Sequence, residues 1–191
     1  MQDKEKPLWR SMLYVPATSE KFIEKAHERG ADAIKIDLED AVAPKEKDAA
    51  RKLVKDAAQL VSRGTADVLV RINRPLRMAV ADIESSIWPE VCGLVLPKVD
   101  SADQINFLCE IITELEEERG LDIGHTKLMV LIETPRGYSN VRSIASSSKR
   151  LSAIALGQED FSAEMGMLEP EGMSLLSYYQ TCLLYTSPSP R

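Results

Sequence analysis

The chain has 191 residues, 44% of them apolar and 28% charged, with a formal net charge of -6 and a pI near 5.1. These proportions describe one globular domain with a sizeable core rather than a disordered or membrane-embedded chain, and the acidic balance argues against a general nucleic-acid binder while leaving room for a local basic patch that holds a phosphorylated ligand. Cys92, Cys109 and Cys182 stand far apart with no CxxC spacing, and the first residues, MQDKEKPLW, form neither a secretory signal nor a transit peptide, so a reduced, cytoplasmic protein without zinc or disulfides is expected.

In chain order, Ser11–Val15 is a short apolar strand stopped by Pro16, and Thr18 or Ser19 can cap a helix that begins near Glu20 and packs through Phe22, Ile23 and Ala26. Gly30 ends that helix. From Ala33 to Leu38, apolar Ile34, Ile36 and Leu38 alternate with Lys35 and Asp37, which gives a strand with one polar-lined side that empties into Glu39 and Asp40. Good helix formers run from Lys45 to Val61, and Gly64 precedes a strand over Val68–Ile72 that contains Arg71. A short helix over Asp82–Trp88, a strand over Gly93–Leu96 ending in Pro97 and Lys98, and a helix over Ser101–Arg119 follow. That last helix carries an Ile/Leu face and a Glu run, Glu116–Glu118, read as solvated. His27 and His125 fall in a helix and a loop, where packing or surface roles are expected rather than metal ligation.

The stretch Lys127–Gly137, KLMVLIETPRG, is a strand buried on both faces that breaks off at Glu133 and is closed by Pro135 and Gly137. A helix near Tyr138–Ser146 leads to a second buried strand, Leu151–Leu156, which runs into Gly157, Gln158, Glu159 and Asp160, and a final helix is expected over Glu171–Gln180. Six strands each followed by a helix imply a parallel sheet of the TIM-type (β/α)8 barrel, C-terminally truncated to about six units, because a complete barrel typically takes ~250 residues. Asp37, Arg71, Lys98, Glu133 and Asp160 would then gather at the strand C-termini, where such barrels place their sites. If Glu133 and Asp160 converge they offer two hard oxygen ligands suited to Mg²⁺; the alternative is that each merely caps a helix. Lys21 and Lys25, one turn apart near a helix N-terminus, could meet a phosphate or be solvated surface charges.

The last eleven residues, TCLLYTSPSPR, drop the helical period and introduce Ser-Pro-Ser-Pro. They resemble the translated read-through of a sequencing-library adapter, so 1–180 is expected to be the partial barrel and 181–191 a non-native tail, a natural disordered tail being the alternative.

Over roughly Arg10–Gln180 the chain resembles the citrate lyase β-subunit-like branch of the HpcH/HpaI aldolase family, on the ordered motifs RSMLYVPATSEKFIEKA, IDLEDAVAPKEKDAAR, VRIN, LPKV, IETPRG and GQEDF. Ala17 departs from the glycine that often follows the proline there. The resemblance implies Mg²⁺-dependent cleavage or formation of a carbon–carbon bond in a 3-hydroxyacyl thioester (citryl, malyl or citramalyl) carried on CoA or acyl carrier protein. It places Glu133 and Asp160 on the metal ligands and Arg71 on the substrate-carboxylate binder, with an ordinary ion pair as the alternative for Arg71. It further implies that Tyr14, Lys21, Lys25 and the Lys47–Arg51 stretch lie near the CoA nucleotide. Asp37, Glu39, Asp40 and Lys98 would support the metal or orient Arg71, or would form plain salt bridges. A homo-oligomer, trimeric or hexameric, is implied for the full-length protein. Two other functions stay open: a metal-dependent aldolase of free 2-keto acids, and a non-catalytic subunit that binds a carrier protein.

Overall fold

The computed structural model describes Pro7, residues 9–166, Ser177 and Tyr179. Six parallel strands, β1 (Met12–Pro16), β2 (Ala33–Asp37), β3 (Asp67–Arg71), β4 (Val91–Leu96), β5 (Lys127–Ile132) and β6 (Leu151–Leu156), pair in the order β1-β2-β3-β4-β5-β6. Between them run α1 (Glu20–Ala26), α2 (Lys47–Val61), α3 (Leu76–Ser86), α4 (Ala102–Glu118) and the pair α5 (Pro135–Ser139) and α6 (Val141–Ala145), and α7 (Gln158–Glu164) follows β6. Sequential order without a reversal separates this sheet from a doubly wound one, which has a switch point.

Strand alternation sorts the apolar residues into two cores. Ile34, Ile36, Val68, Val70, Leu94, Leu96, Leu128, Val130 and Ile132 turn outward and pack against helix residues such as Ile23, Val54, Ala58, Ile83, Ile105 and Ile112. Ala33, Leu69, Val95, Met129 and Leu131 turn inward and pack with Met12, Ala153 and Ala155, with no helix residue among them. Helices cover one face only and the other face closes on itself, which makes this a six-unit portion of a (β/α)8-type barrel. Among the described residues, no helix is long and apolar enough to cross a membrane.

Several boundaries differ from the sequence reading for identifiable reasons. The helix expected at Asp82–Trp88 starts at Leu76, because Pro75 with φ -57° launches it, and Asp82 is a buried mid-helix acceptor. The expected helix near Tyr138–Ser146 is two short helices hinged at Asn140, the first opened by Pro135 and capped by the Thr134 hydroxyl, which accepts the Gly137 N–H at 2.9 Å. Phe22 does not pack inward; it is 56% exposed, and Ile23 and Ala26 alone hold α1 to the sheet. Asp160 stands within the first turn of α7, a helix that the polar run after Gly157 did not signal.

Glu116 is not part of a solvated run. It is fully buried, and its carboxylate accepts Arg150 Nη1 at 2.8 Å and Nη2 at 2.7 Å together with the Thr126 and Gly124 N–H groups at 2.7 and 2.8 Å. This pair ties α4 to the segments leading into β5 and β6. Most of the helix expected over Glu171–Gln180, and the segment Thr181–Arg191, lie outside the described residues.

Candidate active site

The inner face turns polar at the C-terminal ends of the strands. Register aligns Pro16, Asp37, Arg71 and Val95 in one row, and Tyr14, Lys35 and Leu69 in the row below. The alternation that turns Met129 and Leu131 inward continues to Glu133, the second residue beyond Leu131.

Around Arg71 the sequence IDLED folds into a carboxylate cradle. Asp37 is 1% exposed, and its oxygens accept the Glu39 N–H at 2.9 Å and the Ala41 N–H at 3.2 Å, so the turn after β2 fixes its plane. That plane meets the side edge of the Arg71 guanidinium, with Nε 2.7 Å from Oδ1 and Nη2 2.5 Å from Oδ2. The bidentate fork assigned to a substrate carboxylate is therefore occupied by Asp37, and only the Nη1/Nη2 end edge remains. That edge faces the exposed Asp40 carboxylate at 3.2 Å, which water or a ligand could replace. Burial works against the Arg71 charge, but the Asp37 hydrogen bonds outweigh it and hold the guanidinium firmly protonated.

Glu39 is the uneasy member of this cluster. Its Oε2 lies 3.1 Å from Arg71 Nη1, yet the angle makes no hydrogen bond and the oxygen is buried without a partner. Burial pushes its carboxyl up to about 7, against the pull of Arg71 and with the help of Asp40, Glu133 and Asp37.

Lys35, which the sequence showed only as a polar alternation, is 3% exposed on the inner face. Its ammonium lies 3.3 Å from the Tyr14 hydroxyl and 4.5 Å from that ring's centroid, and the Arg71 guanidinium carbon lies 4.8 Å from the same centroid. Burial, with repulsion from Arg71, brings Lys35 down to about 8. Tyr14, on the inner face but 41% exposed, thus lies against two cations.

The second half of the site joins three strand ends. Lys98, just past β4, has φ 49°, and its N–H donates to Glu133 Oε2 at 2.8 Å. Its ammonium pairs with Asp160 Oδ2 at 2.9 Å. Glu133 is 6% exposed; burial raises its carboxyl above the usual range, the Lys98 N–H opposes the rise, and the Asp160 charge adds to it. Gly157 makes the arrangement possible, because a Cβ there would lie 2.3 Å from Glu133 Cγ and 2.4 Å from Oε1. The sequence showed that glycine only as the end of an apolar run.

Glu133, just past β5, and Asp160, in the first turn of α7, both contact Lys98, and two such carboxylates fit Mg²⁺, which takes one or two carboxylates and keeps several waters. No group of three or more His, Cys, Asp or Glu side chains that could hold a metal occurs among the described residues. A softer, fully protein-caged ion is not what this face suits.

The five residues implied for CoA are carried by β1, α1 and α2, and α1 packs against both of the others. Lys21 and Lys25 are exposed on α1, one turn apart. The Lys47 ammonium is spent on the Leu38 and Glu39 carbonyls, bracing the turn after β2. Arg51 is spent on Asp82 at 2.6 Å and on Asp48. No hydrogen bond, ion pair or ring contact joins any two of Tyr14, Lys21, Lys25, Lys47 and Arg51.

With this geometry in hand, comparison with known proteins is specific. The chain is 37% identical over 182 residues to citrate lyase subunit beta of Leuconostoc mesenteroides subsp. cremoris, covering 94% of this chain and 60% of that protein. It is 32% identical over 178 residues to a (3S)-malyl-CoA thioesterase of Cereibacter sphaeroides, covering 92% and 58%. The structure of the citrate lyase beta subunit of Mycobacterium tuberculosis complexed with oxaloacetate and magnesium superposes with a TM-score of 0.67 at 23% identity, over 92% of this chain and 72% of that one, a likeness of fold. The chain spans about 60% of the length of the curated relatives it matches. The family model of HpcH/HpaI aldolase/citrate lyase matches residues 10–188, and the chain belongs to that family.

Proposed function

We propose that this chain forms the metal- and carboxylate-binding face of a lyase that cleaves or forms the carbon–carbon bond of a 3-hydroxyacyl thioester, citryl, malyl or citramalyl, carried on CoA or acyl carrier protein. The observation that carries the reading is the Lys98 bridge, whose N–H donates to Glu133 Oε2 at 2.8 Å and whose ammonium pairs with Asp160 Oδ2 at 2.9 Å, bringing the two acids together beyond the ends of β5 and β6. The names of the relatives, a citrate lyase subunit and a malyl-CoA thioesterase, support the substrate class.

Retro-aldol cleavage removes the proton of the 3-hydroxyl, passes the carbon–carbon electron pair to the thioester α-carbon, and leaves a keto acid and an enolate that takes up a proton. Glu133 and Asp160 would hold Mg²⁺, which would supply Lewis-acid chemistry to the reaction. Arg71 presents its Nη1/Nη2 edge to that carboxylate once Asp40 moves aside, and the Asp37 grip keeps the guanidinium plane fixed for it. Glu39, near half-protonation at neutral pH and beside Arg71, is the group of this cluster best matched to hold the hydroxyl proton. Lys21 and Lys25 are the exposed cations open to the carrier's phosphates. Because Lys47 and Arg51 are held internally, an aldolase of free 2-keto acids is the second reading, separated from the first by whether CoA competes with substrate.

Mg²⁺ calorimetry with Glu133→Gln and Asp160→Asn, run beside a thioester-cleavage assay, tests the proposal. Each substitution should weaken Mg²⁺ by at least ~10-fold, since even residues that only support a ligand cost that much. Wild-type Mg²⁺ affinity in both variants would mean that these acids are structural caps.

A further inference from the structure

Lys98 touches both candidate metal ligands, with its main chain on Glu133 and its side chain on Asp160. Among the described residues it is the one non-glycine with a positive φ, a conformation that costs energy for a residue with a Cβ and so needs the surrounding fold to hold it. The residue after it is closely bound: the Val99 N–H donates to the Leu131 carbonyl at 3.3 Å, and a Cβ on Gly137 would lie 2.4 Å from the Val99 carbonyl oxygen. The strained turn aims the N–H at Glu133 and sends the side chain across to α7.

The two contacts differ in how readily they break. The N–H belongs to the backbone of the turn after β4 and donates to a buried carboxylate. The ammonium sits on a flexible stem, in a pair whose side chains are 39% and 46% exposed, so it can leave Asp160 for water. A divalent cation and an ammonium on one carboxylate oxygen repel each other at close range.

We infer that the Lys98 ammonium is a built-in counter-cation that competes with the divalent metal for Asp160, while the Lys98 N–H holds Glu133 in place in both states. The inference rests on the metal reading proposed above. Metal binding would release the ammonium at the rim of the site, where an incoming anionic substrate can use it. In the metal-free protein it relieves the repulsion between Glu133 and Asp160. Lys98 is thus a positioning residue whose two ends do different work.

The test is Mg²⁺ titration calorimetry and thermal melting of the 191-residue chain as wild type, Lys98→Met and Lys98→Arg. Met keeps the unbranched stem and the same backbone cost without the charge. Lys98→Met should bind Mg²⁺ roughly 3- to 10-fold more tightly, and Lys98→Arg should stay within about twofold of wild type. Lys98→Met should also melt below wild type without Mg²⁺ and close the gap when saturated. Binding to Lys98→Met that is no tighter than to wild type overturns the inference and leaves the metal reading standing. Absence of Mg²⁺ binding by every variant overturns both, whereas binding only by Lys98→Met supports the competition. Amine labelling of wild-type Lys98, read by mass spectrometry, is independent of any variant's folding: it should rise with Mg²⁺, and no change again overturns the inference.

Discussion

Gly157→Ala isolates the packing of the proposed ligand from its charge. At φ -82° and ψ 94° the glycine occupies backbone space open to alanine, so the substitution carries no conformational strain of its own. It carries a collision instead. The new methyl would sit 2.3 Å from Glu133 Cγ and 2.8 Å from Cδ, where ordinary carbon contacts are ~3.5 Å or more, so the side chain must retreat by about 1 Å. Glu133 is buried and held by the Lys98 N–H at 2.8 Å, so retreat breaks a charge-assisted hydrogen bond of ~1.5–3 kcal/mol. Alanine returns ~0.4–1 kcal/mol by restricting the unfolded chain, leaving a net loss of roughly 0.5–2.6 kcal/mol. Urea denaturation measures that loss, and calorimetry should show Mg²⁺ weakened by at least ~10-fold, because a ligand displaced by about 1 Å no longer matches the ion's geometry. Wild-type Mg²⁺ affinity and stability in Gly157→Ala would refute the picture of Glu133 pinned between Gly157 and Lys98.

Other expectations follow from the same contacts. Glu116→Gln breaks a fully buried ion pair with Arg150 and should cost ~3–5 kcal/mol in urea denaturation without touching Mg²⁺ binding; a loss under ~1 kcal/mol would show that α4 is anchored otherwise. Glu39 carries a carboxyl raised from 4.5 to about 7, so the folded state binds the extra proton and stability falls as pH rises through that window, by at most on the order of 3 kcal/mol. Glu39→Gln should flatten the difference in denaturation midpoint between pH 5 and pH 8, and an unchanged slope would place the titration elsewhere. Arg71→Lys keeps the charge but loses the fork that meets Asp37, so keto-acid binding should fall and stability should drop by ~1.5–3 kcal/mol while Mg²⁺ binding persists; loss of Mg²⁺ binding would tie Arg71 to the metal directly.

The strands were readable because each is a short, mainly apolar run closed by turn or polar residues: LYV, IKI, VLV, GLVL, LMVLI and AIAL all lie within observed strands. The outward and inward sorting was readable too wherever a polar residue broke the alternation, as Lys35 and Asp37 do in β2. What failed to show were properties that belong to two residues at once. Glu116 looks like its neighbours Glu117 and Glu118, and only Arg150, thirty-four positions away, makes it a core residue. Arg71 at a strand end looks like a free fork until Asp37 on the adjacent strand fills it. Asp160 read as a strand-end acid because Gly157, whose φ and ψ are extended, cuts the apolar run before a helix that begins with no side-chain cap.

The division of the site follows from the sheet's register. Asp37 grips Arg71 across one pair of neighbouring strands, β2 and β3, and the turn after β2 supplies the N–H groups that orient Asp37. Lys98 grips Glu133 and Asp160 across β4, β5 and β6, and the strained turn after β4 orients its N–H. In each half a main-chain N–H orients one carboxylate, Asp37 in the first and Glu133 in the second, as a preorganised site requires. Between the halves no hydrogen bond or ion pair runs among the described residues; Glu133 meets Arg71 and Glu39 through the field alone. Under the proposed function, a substrate with a carboxylate for Arg71 and oxygens for the Glu133–Asp160 side would supply that missing link, and both halves would then hold the part that leaves as the keto acid.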